Sequence, residues 1–159
     1  QNNFKGLENY SADKLIIWAR ELRKNINEKY EFVHPEDPTI RYCTHVLWAG
    51  AVIDKTSTAR NAVFYGDKAI DRSPCGTGTS ARMAQWYAKG LLKKGDEFIH
   101  ESIIGSKFIG RIEEEIPNAF GTGKVAIKPS IEGWARIYGY NTITIDPSDD
   151  PYAYGFQVL

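Results

Sequence analysis

A cysteine and an aspartate four positions apart, Cys75 and Asp71, are the residues of this chain with the clearest chemical potential. Both belong to residues 71–81, which read DRSPCGTGTSA. This pattern predicts that a strand ends before Asp71 and that a helix begins just after Cys75. The first amides of a helix have no partners inside the helix and together carry about half a positive charge. A carboxylate is therefore a natural ligand for this stretch.

The residues after Cys75 suit a small zwitterionic ligand. Glycines let a ligand approach the backbone closely, and threonine hydroxyls add further donors. The helix amides also stabilise a thiolate relative to a thiol, so Cys75 could take a proton near neutral pH and return it. With the ligand's ammonium group on Asp71 and its carboxylate on the amides, Cα would face Cys75. The donors concerned are Gly76, Thr77, Gly78 and Thr79.

Other interpretations use the same residues. A lone cysteine is most often a small buried apolar residue, and an aspartate such as Asp71 often caps a turn. Gly76, Gly78 and Ala81 also fit the dinucleotide-binding pattern. No parallel strand–helix–strand periodicity surrounds them, so that function is rejected. A cysteine hydrolase would need a histidine beside Cys75, and it stays an alternative because the chain has His34, His45 and His100.

Two helices and several strands are predicted to hold this stretch in place. Residues 11–29 repeat apolar side chains at helical spacing, and Ser11 is a suitable N-cap. Residues 76–89 form a second helix that is small or apolar nearly all round, so it should be buried, with Gly90 just beyond its end. The fold class is therefore α+β, with a mixed, mostly antiparallel sheet wrapped around a buried central helix. Strands are predicted at residues 41–49, 60–65, 97–104, 107–116, 124–128 and 134–145, and a turn-rich tail follows.

Composition and charge exclude several classes of protein. The chain has 159 residues, which suits a single domain, and its 20 Lys and Arg balance its 20 Asp and Glu. That balance argues against nucleic acid or a membrane surface as the main partner. No apolar run is long enough to span a membrane and no signal-peptide pattern is present, so we expect a cytoplasmic protein.

The two cysteines, Cys43 and Cys75, are too few for a disulfide framework, and no metal-ligand spacing accompanies them. We therefore predict no metal site. Cys43 is interpreted as a buried strand residue with a structural role. A single disulfide between the two cysteines is an alternative that the sequence leaves open.

Beyond these patterns, the sequence resembles the proline racemase family over essentially all of its 159 residues. Residues 71–81 resemble the second cysteine motif of that family, and residues 101–111 resemble the strand pair that follows it. Residues 146–151 and 155–156 are similar to its C-terminal ending. Three further stretches look most similar to the bacterial 4-hydroxyproline 2-epimerases of the family, namely residues 44–48, 62–71 and 133–136.

The resemblance implies a fold and a mechanism. Family members have two similar halves, each a sheet around a central helix as in diaminopimelate epimerase, with the site between the halves. A thiolate from one half removes the Cα proton and a thiol from the other reprotonates the opposite face, without cofactor or metal. Cys75 is then one acid–base residue, and Asp71 contacts the substrate nitrogen. The substrate carboxylate is bound by Gly76 and Thr77.

Two departures from the family bear on function. Related trans-3-hydroxyproline dehydratases carry threonine in place of one cysteine, so Cys75 favours epimerisation over dehydration. Family members are about twice as long as this chain, which lacks their Met-Cys-Gly-His type motif. Residues 1–159 are therefore expected to form one domain, the C-terminal half of a two-half epimerase.

The expected partners are a small amino-acid substrate and the N-terminal half of the same enzyme, with a second copy of the chain as a further candidate. Alone, the chain should fold but not epimerise. The alternatives are a proline racemase and a non-catalytic carboxylate-binding fragment.

Two residues are candidates for contact with the substrate ring. His45 could donate to a ring hydroxyl, and Tyr65 could close over the ring. Such a polar pair favours 4-hydroxyproline, because a site built for a hydroxyl rejects the analogue that lacks it. The alternatives are a strand histidine with local partners and an aromatic residue of the core or rim. His34 and His100 are assigned to the surface or to turns.

Overall fold

A computed structural model of the chain describes residues 3–155, which form two α-helices and a six-stranded sheet. The helices are α1 (Ala12–Lys29) and α2 (Gly76–Ala88). The strands are β1 (His45–Gly50), β2 (Ala59–Tyr65), β3 (Ala69–Ile70), β4 (Glu97–Glu101), β5 (Lys107–Ile116) and β6 (Ala126–Glu132). Neither helix in this part of the chain is apolar enough to cross a membrane.

The sheet has the strand order β1-β2-β4-β5-β6, and β3 pairs with β2. Neighbouring strands are antiparallel except β2 and β4, where Ala59 pairs with His100 and Arg60 with Glu101. Parallel neighbours need a crossover connection, and α2 lies in the connection between β2 and β4. The predicted α+β class with a mixed, mostly antiparallel sheet is confirmed.

Two apolar clusters hold the helices to the sheet. Leu15 of α1 packs with Ala62 and Phe64 of β2 in one cluster. In the other, Met83 of α2 packs with Ala59 of the same strand. Successive residues of a strand point to opposite faces, so β2 presents one set of side chains to each cluster. The strand that leads towards the cysteine motif is therefore fixed from both faces.

The first helix begins as predicted and also anchors the segment before β1. Ser11 is its N-cap, and the hydroxyl oxygen accepts a hydrogen bond from the N–H of Lys14 at 3.4 Å. Near the other end, the amide side chain of Asn27 bonds the N–H and the carbonyl of Cys43, at 2.7 and 2.9 Å. Because these backbone groups are taken, β1 begins at His45, and the prediction that it begins at residue 41 is wrong.

The second helix is not buried on all sides, and that prediction is wrong. It packs against β5 and β6, and only Thr79 and Met83 among its residues are buried. The sheet of the described residues covers one side of α2 and leaves the other side open to solvent. The predicted C-terminal end is confirmed within one residue, because Gly90 follows with a left-handed φ of 70°. The exposed residues of α2 are Thr77, Ala81, Ala84, Gln85 and Ala88.

Four strands match their predictions to different degrees. β5 has the predicted bounds and β2 begins one residue early. β6 begins at Ala126, after its predicted start at residue 124, and runs past its predicted end at residue 128 to Glu132. β4 ends at Glu101, before residue 104, because the backbone turns and the N–H of Ser102 bonds the carbonyl of Ser106 at 2.8 Å.

The strand predicted at residues 134–145 is absent. The segment pairs with no strand of the described chain, and its apolar side chains are exposed, Tyr138 fully and Tyr140 to 92%. An alternating sequence suits a strand, but a strand also needs a neighbour for its backbone hydrogen bonds. The turn-rich tail is confirmed from residue 146 to residue 154, and residues 156–159 lie outside the described chain.

Candidate active site

Cys75 caps α2 from a strained backbone conformation. Its φ of 67° lies in the left-handed region, which costs a residue with a side chain about 1–3 kcal/mol. Its N–H donates to the hydroxyl of Ser73 at 3.0 Å. Its carbonyl accepts from the N–H of Thr79 at 2.8 Å and from the Thr79 hydroxyl at 2.6 Å. Strain that the surroundings maintain in this way is characteristic of functional sites.

The thiol of Cys75 lies against the first turn of α2. Its Sγ accepts a hydrogen bond from the N–H of Gly78 at 3.3 Å. A Cβ added at Gly78 would lie 3.3 Å from the same sulfur, so this glycine makes room for the thiol itself. The predicted close approach of a ligand applies better to Gly76, where an added Cβ would meet nothing within 4 Å.

Two amides at the start of α2 are open to an anion. Among residues 3–155, the N–H groups of Gly76 and Thr77 have no hydrogen-bond partner, as expected for the first turn of a helix. Thr79 was predicted as a further donor, and that prediction is wrong. Its side chain is fully buried and its hydroxyl donates to the carbonyl of Cys75. A carboxylate would therefore be held by backbone amides beside the sulfur.

Asp71 stabilises the turn before the cysteine. Its Oδ1 accepts from both the N–H and the hydroxyl of Ser73, each at 2.8 Å. Ser73 in turn accepts from the N–H of Cys75, so the carboxylate supports the backbone of Cys75 through one intermediate residue. The second oxygen, Oδ2, has no partner in the described part of the chain. Contact with a substrate ammonium stays a prediction, and it falls on that oxygen.

His45 and Tyr65 form a cross-strand pair. They lie opposite each other in β1 and β2, and their rings stack with centroids 5.7 Å apart and planes inclined by 24°. Nδ1 of His45 lies 2.7 Å from the hydroxyl of Thr44, which leaves Nε2 of this exposed ring free of partners in residues 3–155. The pair thus combines a local hydrogen bond with one ring nitrogen open to a ligand.

An open groove of about 790 Å³ runs between the start of α2 and the segment before β1. Of the predicted site residues, the groove brings together Cys75, Thr77 and His45. Asp71, Gly76 and Tyr65 do not line it, although Gly76 adjoins Cys75 in the chain and Tyr65 stacks on His45. The other side chains along its length include Tyr42, Cys43, Leu47, Val63, Gln85 and Trp86.

A guanidinium of α1 fixes one wall of this groove. Arg23 donates to the carbonyl of Thr44 at 2.9 Å and also to the carbonyl of Gly66. These carbonyls adjoin His45 and Tyr65, so one side chain ties the start of β1 to the end of β2. The amphipathic helix was predicted from its apolar face, and this polar role of Arg23 has no signal in a single sequence.

His100 lies beside the start of α2, where sequence reasoning did not place it. Its assignment to the surface or a turn is wrong, because the ring is fully buried in β4. Nδ1 lies 2.9 Å from the hydroxyl of Thr79, and Nε2 lies 3.1 Å from a guanidinium nitrogen of Arg82. Burial and then the charge of Arg82 lower the pKa of His100 to about 3. The available signal was its position two residues after Phe98, on the same buried face of the strand. His34 does occupy a turn, where Nδ1 accepts from the N–H groups of Glu36 and Asp37.

The cysteines are both free thiols. Cys43 precedes β1 and is half-buried at the groove, so the prediction of a buried strand residue is wrong. A cysteine hydrolase would require a histidine hydrogen-bonded to Cys75. No histidine in residues 3–155 makes that hydrogen bond. In the same residues, no group of three His, Cys, Asp or Glu side chains is placed to hold a metal ion.

Comparison with known proteins gives consistent matches at the level of sequence. A sequence model of the family described as proline racemase matches residues 1–157. The 4-hydroxyproline 2-epimerase of Spirosoma linguale is 65% identical over 159 residues, which is all of this chain and 46% of that protein. The 4-hydroxyproline epimerase of Brucella ovis is 61% identical over 158 residues, with 99% of this chain and 46% of that protein covered. The chain spans about half the length of the curated relatives it matches.

Two solved structures are similar in fold. One is a hydroxyproline epimerase from Agrobacterium vitis with bound trans-4-hydroxy-L-proline, at a TM-score of 0.71 and 33% identity, covering 91% of this chain and 40% of the other. The second is a probable proline racemase from Agrobacterium radiobacter with bound carbonate, at a TM-score of 0.73 and 35% identity. That match covers 99% of this chain and 44% of the other.

Proposed function

Because this chain belongs to the proline racemase family, we propose that it is the C-terminal half of an enzyme that epimerises 4-hydroxyproline at Cα. The observation that carries the proposal is the start of α2, where a thiol lies beside two amides without partners. The names of the relatives from Spirosoma linguale and Brucella ovis support the substrate. The bound trans-4-hydroxy-L-proline in the Agrobacterium vitis structure supports it as well.

The substrate would be held by its two charged groups. Its carboxylate accepts hydrogen bonds from the N–H groups of Gly76 and Thr77, at the positive end of α2. Its ammonium group contacts Oδ2 of Asp71, the oxygen that Ser73 leaves free. These two contacts orient Cα, which then faces the sulfur of Cys75.

The proton transfer then uses Cys75 as a base or an acid. As a thiolate, Sγ takes the Cα proton, so that the C–H bond breaks and an S–H bond forms. The electron pair of the broken bond spreads into the carboxylate, where the helix amides stabilise the added charge. The N–H of Gly78 offers the same stabilisation to the thiolate before the transfer. A second thiol, supplied by the N-terminal half, returns a proton to the opposite face and inverts the centre.

The ring hydroxyl is assigned to His45. Stacking on Tyr65 limits the rotation of the imidazole, and Nε2 is available to a hydroxyl group at the groove. A site that bonds a hydroxyl discriminates against proline, which would leave the imidazole without a partner. Proline racemisation is the alternative within the family, and it is favoured only if His45 makes no contact with the ring.

A second function of another class is a carboxylate-binding fragment without catalysis. The open side of α2 favours it for the chain alone, because the groove is not closed from water over Cys75.

Within the epimerase, the proposed partners of this chain are the substrate and the N-terminal half of the enzyme. A second copy of the chain is a further candidate. We place the protein in the cytoplasm, where reducing conditions keep Cys43 and Cys75 as thiols.

The test of this function uses a joined enzyme, in which residues 1–159 follow the N-terminal half of the Spirosoma linguale relative. Turnover of trans-4-hydroxy-L-proline and of L-proline is measured by optical rotation, without added cofactor. Faster turnover of the hydroxylated substrate is expected. Equal turnover of both would favour a proline racemase, and turnover of neither would leave the carboxylate-binding fragment.

A further inference from the structure

A row of three polar side chains, two of them buried, connects β4 to the backbone of Cys75. Arg82, His100 and Thr79 follow one another at hydrogen-bond distance, 3.1 Å from the guanidinium to Nε2 and 2.9 Å from Nδ1 to the hydroxyl. The row ends at the carbonyl of Cys75, 2.6 Å from the Thr79 hydroxyl. His100 and Thr79 are fully buried, so water does not compete for the bond between them.

The hydrogen bonds of this row have a single consistent direction. A guanidinium only donates, so Nε2 of His100 must accept from Arg82. The neutral ring then carries its hydrogen on Nδ1 and donates it to the Thr79 hydroxyl. That hydroxyl has one hydrogen, which goes to the carbonyl of Cys75, a group that only accepts. A protonated ring would set an N–H against an N–H of Arg82, and the low pKa of His100 agrees with the neutral form.

The carbonyl at the end of the row belongs to the peptide group that carries the N–H of Gly76. A trans peptide is planar, and its C=O and N–H point in opposite directions. No described peptide bond is cis, so fixing the Cys75 carbonyl towards Thr79 also fixes the direction of the Gly76 N–H. The same contact resists relaxation of the left-handed Cys75 to an ordinary conformation.

We propose that His100 is a positioning residue that, through Thr79, fixes the peptide between Cys75 and Gly76 and so aims both the thiol and the first free amide of α2. Its importance for catalysis rests on the proposed function, whereas its effect on the backbone does not. His100 touches no substrate group in this arrangement. It selects one orientation of a strained helix start.

The test compares two pairs of variants in the 159-residue chain, using cysteine labelled with carbon-13. The Cα chemical shift of Cys75 reports whether its φ stays left-handed. His100→Asn keeps an N–H near the position of Nδ1, and Thr79→Ser keeps the hydroxyl. His100→Leu and Thr79→Val remove them at similar volume. Thermal unfolding of every variant separates a local change from a general loss of stability.

We expect His100→Leu and Thr79→Val to move the Cys75 signal towards the value of unstructured cysteine, while His100→Asn and Thr79→Ser retain the native shift. A folded His100→Leu chain with an unchanged Cys75 shift would overturn the proposal, even if its melting temperature were lower. If His100→Leu does not fold, the comparison of Thr79→Val with Thr79→Ser decides. Equal Cα chemical shifts of Cys75 in these two variants would contradict the positioning role. The experiment does not measure enzyme activity. Its outcome therefore does not depend on whether the proposed epimerase function is correct.

Discussion

The sulfur of Cys75 lies 3.3 Å from the backbone nitrogen of Gly78, and a Cβ added at Gly78 would also lie only 3.3 Å from that sulfur, which is a tight contact. A methyl group at residue 78 would therefore push the thiol aside by a few tenths of an ångström. This contact sets the position of the proposed acid–base group relative to the amides that would bind a carboxylate.

Gly78→Ala in the joined enzyme should lower kcat by about tenfold or more, because displacement of a reacting atom by a fraction of an ångström is costly. Helix propensity alone would make alanine the more stabilising residue by about 1 kcal/mol, so unfolding should not explain the loss. The measurements are kcat and melting temperature, with Gly139→Ala as a control at a position where an added Cβ meets nothing. Full activity of Gly78→Ala would show that the position of Sγ is not restricted by this contact.

Asp71→Asn separates the two roles of this carboxylate. The amide oxygen can still accept from Ser73, so the turn should persist, whereas the charge opposite a substrate ammonium is lost. Loss of a charged hydrogen bond of about 1.5–3 kcal/mol predicts that kcat/KM falls by about 10- to 100-fold. Asp71→Ala should have this kinetic effect and a lower melting temperature too. An unchanged kcat/KM in Asp71→Asn would restrict Asp71 to the turn.

His45→Phe tests recognition of the ring hydroxyl. Phenylalanine keeps a ring that can stack on Tyr65 but removes the nitrogen that would bond the hydroxyl. The preference for 4-hydroxyproline over proline, as a ratio of kcat/KM values, should fall by about tenfold, with little change for proline itself. Tyr65→Phe is the matched control, because it keeps the stacked ring and should leave the ratio near its original value. Equal losses for both substrates would indicate a general packing defect.

The buried histidine predicts a pH dependence of stability. His100 has its pKa lowered from 6.5 to about 3, by burial first and by Arg82 second, so between these values the unfolded chain binds more protons than the folded chain. Its stabilising contribution is therefore complete above about pH 6.5 and is lost as the pH falls towards 3, by at most about 1.4 kcal/mol per pH unit.

Urea unfolding of the chain at a series of pH values measures how steeply the free energy of unfolding depends on pH. His100→Asn should make this dependence less steep, because asparagine does not titrate. The pKa of Asp54 is also lowered, by hydrogen bonds to Lys107 and Thr56. This carboxyl is present in the unsubstituted chain and in the His100→Asn variant, so its effect cancels when the two stability curves are subtracted. Parallel curves for the two chains would contradict the assignment of a neutral, buried His100.

Sequence reasoning succeeds here where the cause of a structure is local. The cap at Ser11 and the helix start just after Cys75 follow from residues next to those helices, and the alternation in residues 107–116 gives β5 its bounds. It fails where the cause lies elsewhere in space. The exposed side of α2 and the absence of a strand at residues 134–145 depend on contacts with elements remote in sequence, which their own residue pattern does not encode. The pairing of Thr79 with His100 depends on the register of β4 beside β2 and α2, which a single sequence does not reveal.

The central claim is that Cys75 is the acid–base residue for one face of Cα. Its most direct test is inversion of trans-4-hydroxy-L-proline in deuterated water by the joined enzyme and by its Cys75→Ser and Cys43→Ser variants. Cys43 lies at the same groove, so Cys43→Ser controls for a change of sulfur to oxygen near the site. The account predicts inversion with deuterium at Cα for the unsubstituted enzyme and for Cys43→Ser, and no measurable inversion for Cys75→Ser. Inversion by Cys75→Ser at a rate near that of the unsubstituted enzyme would contradict it.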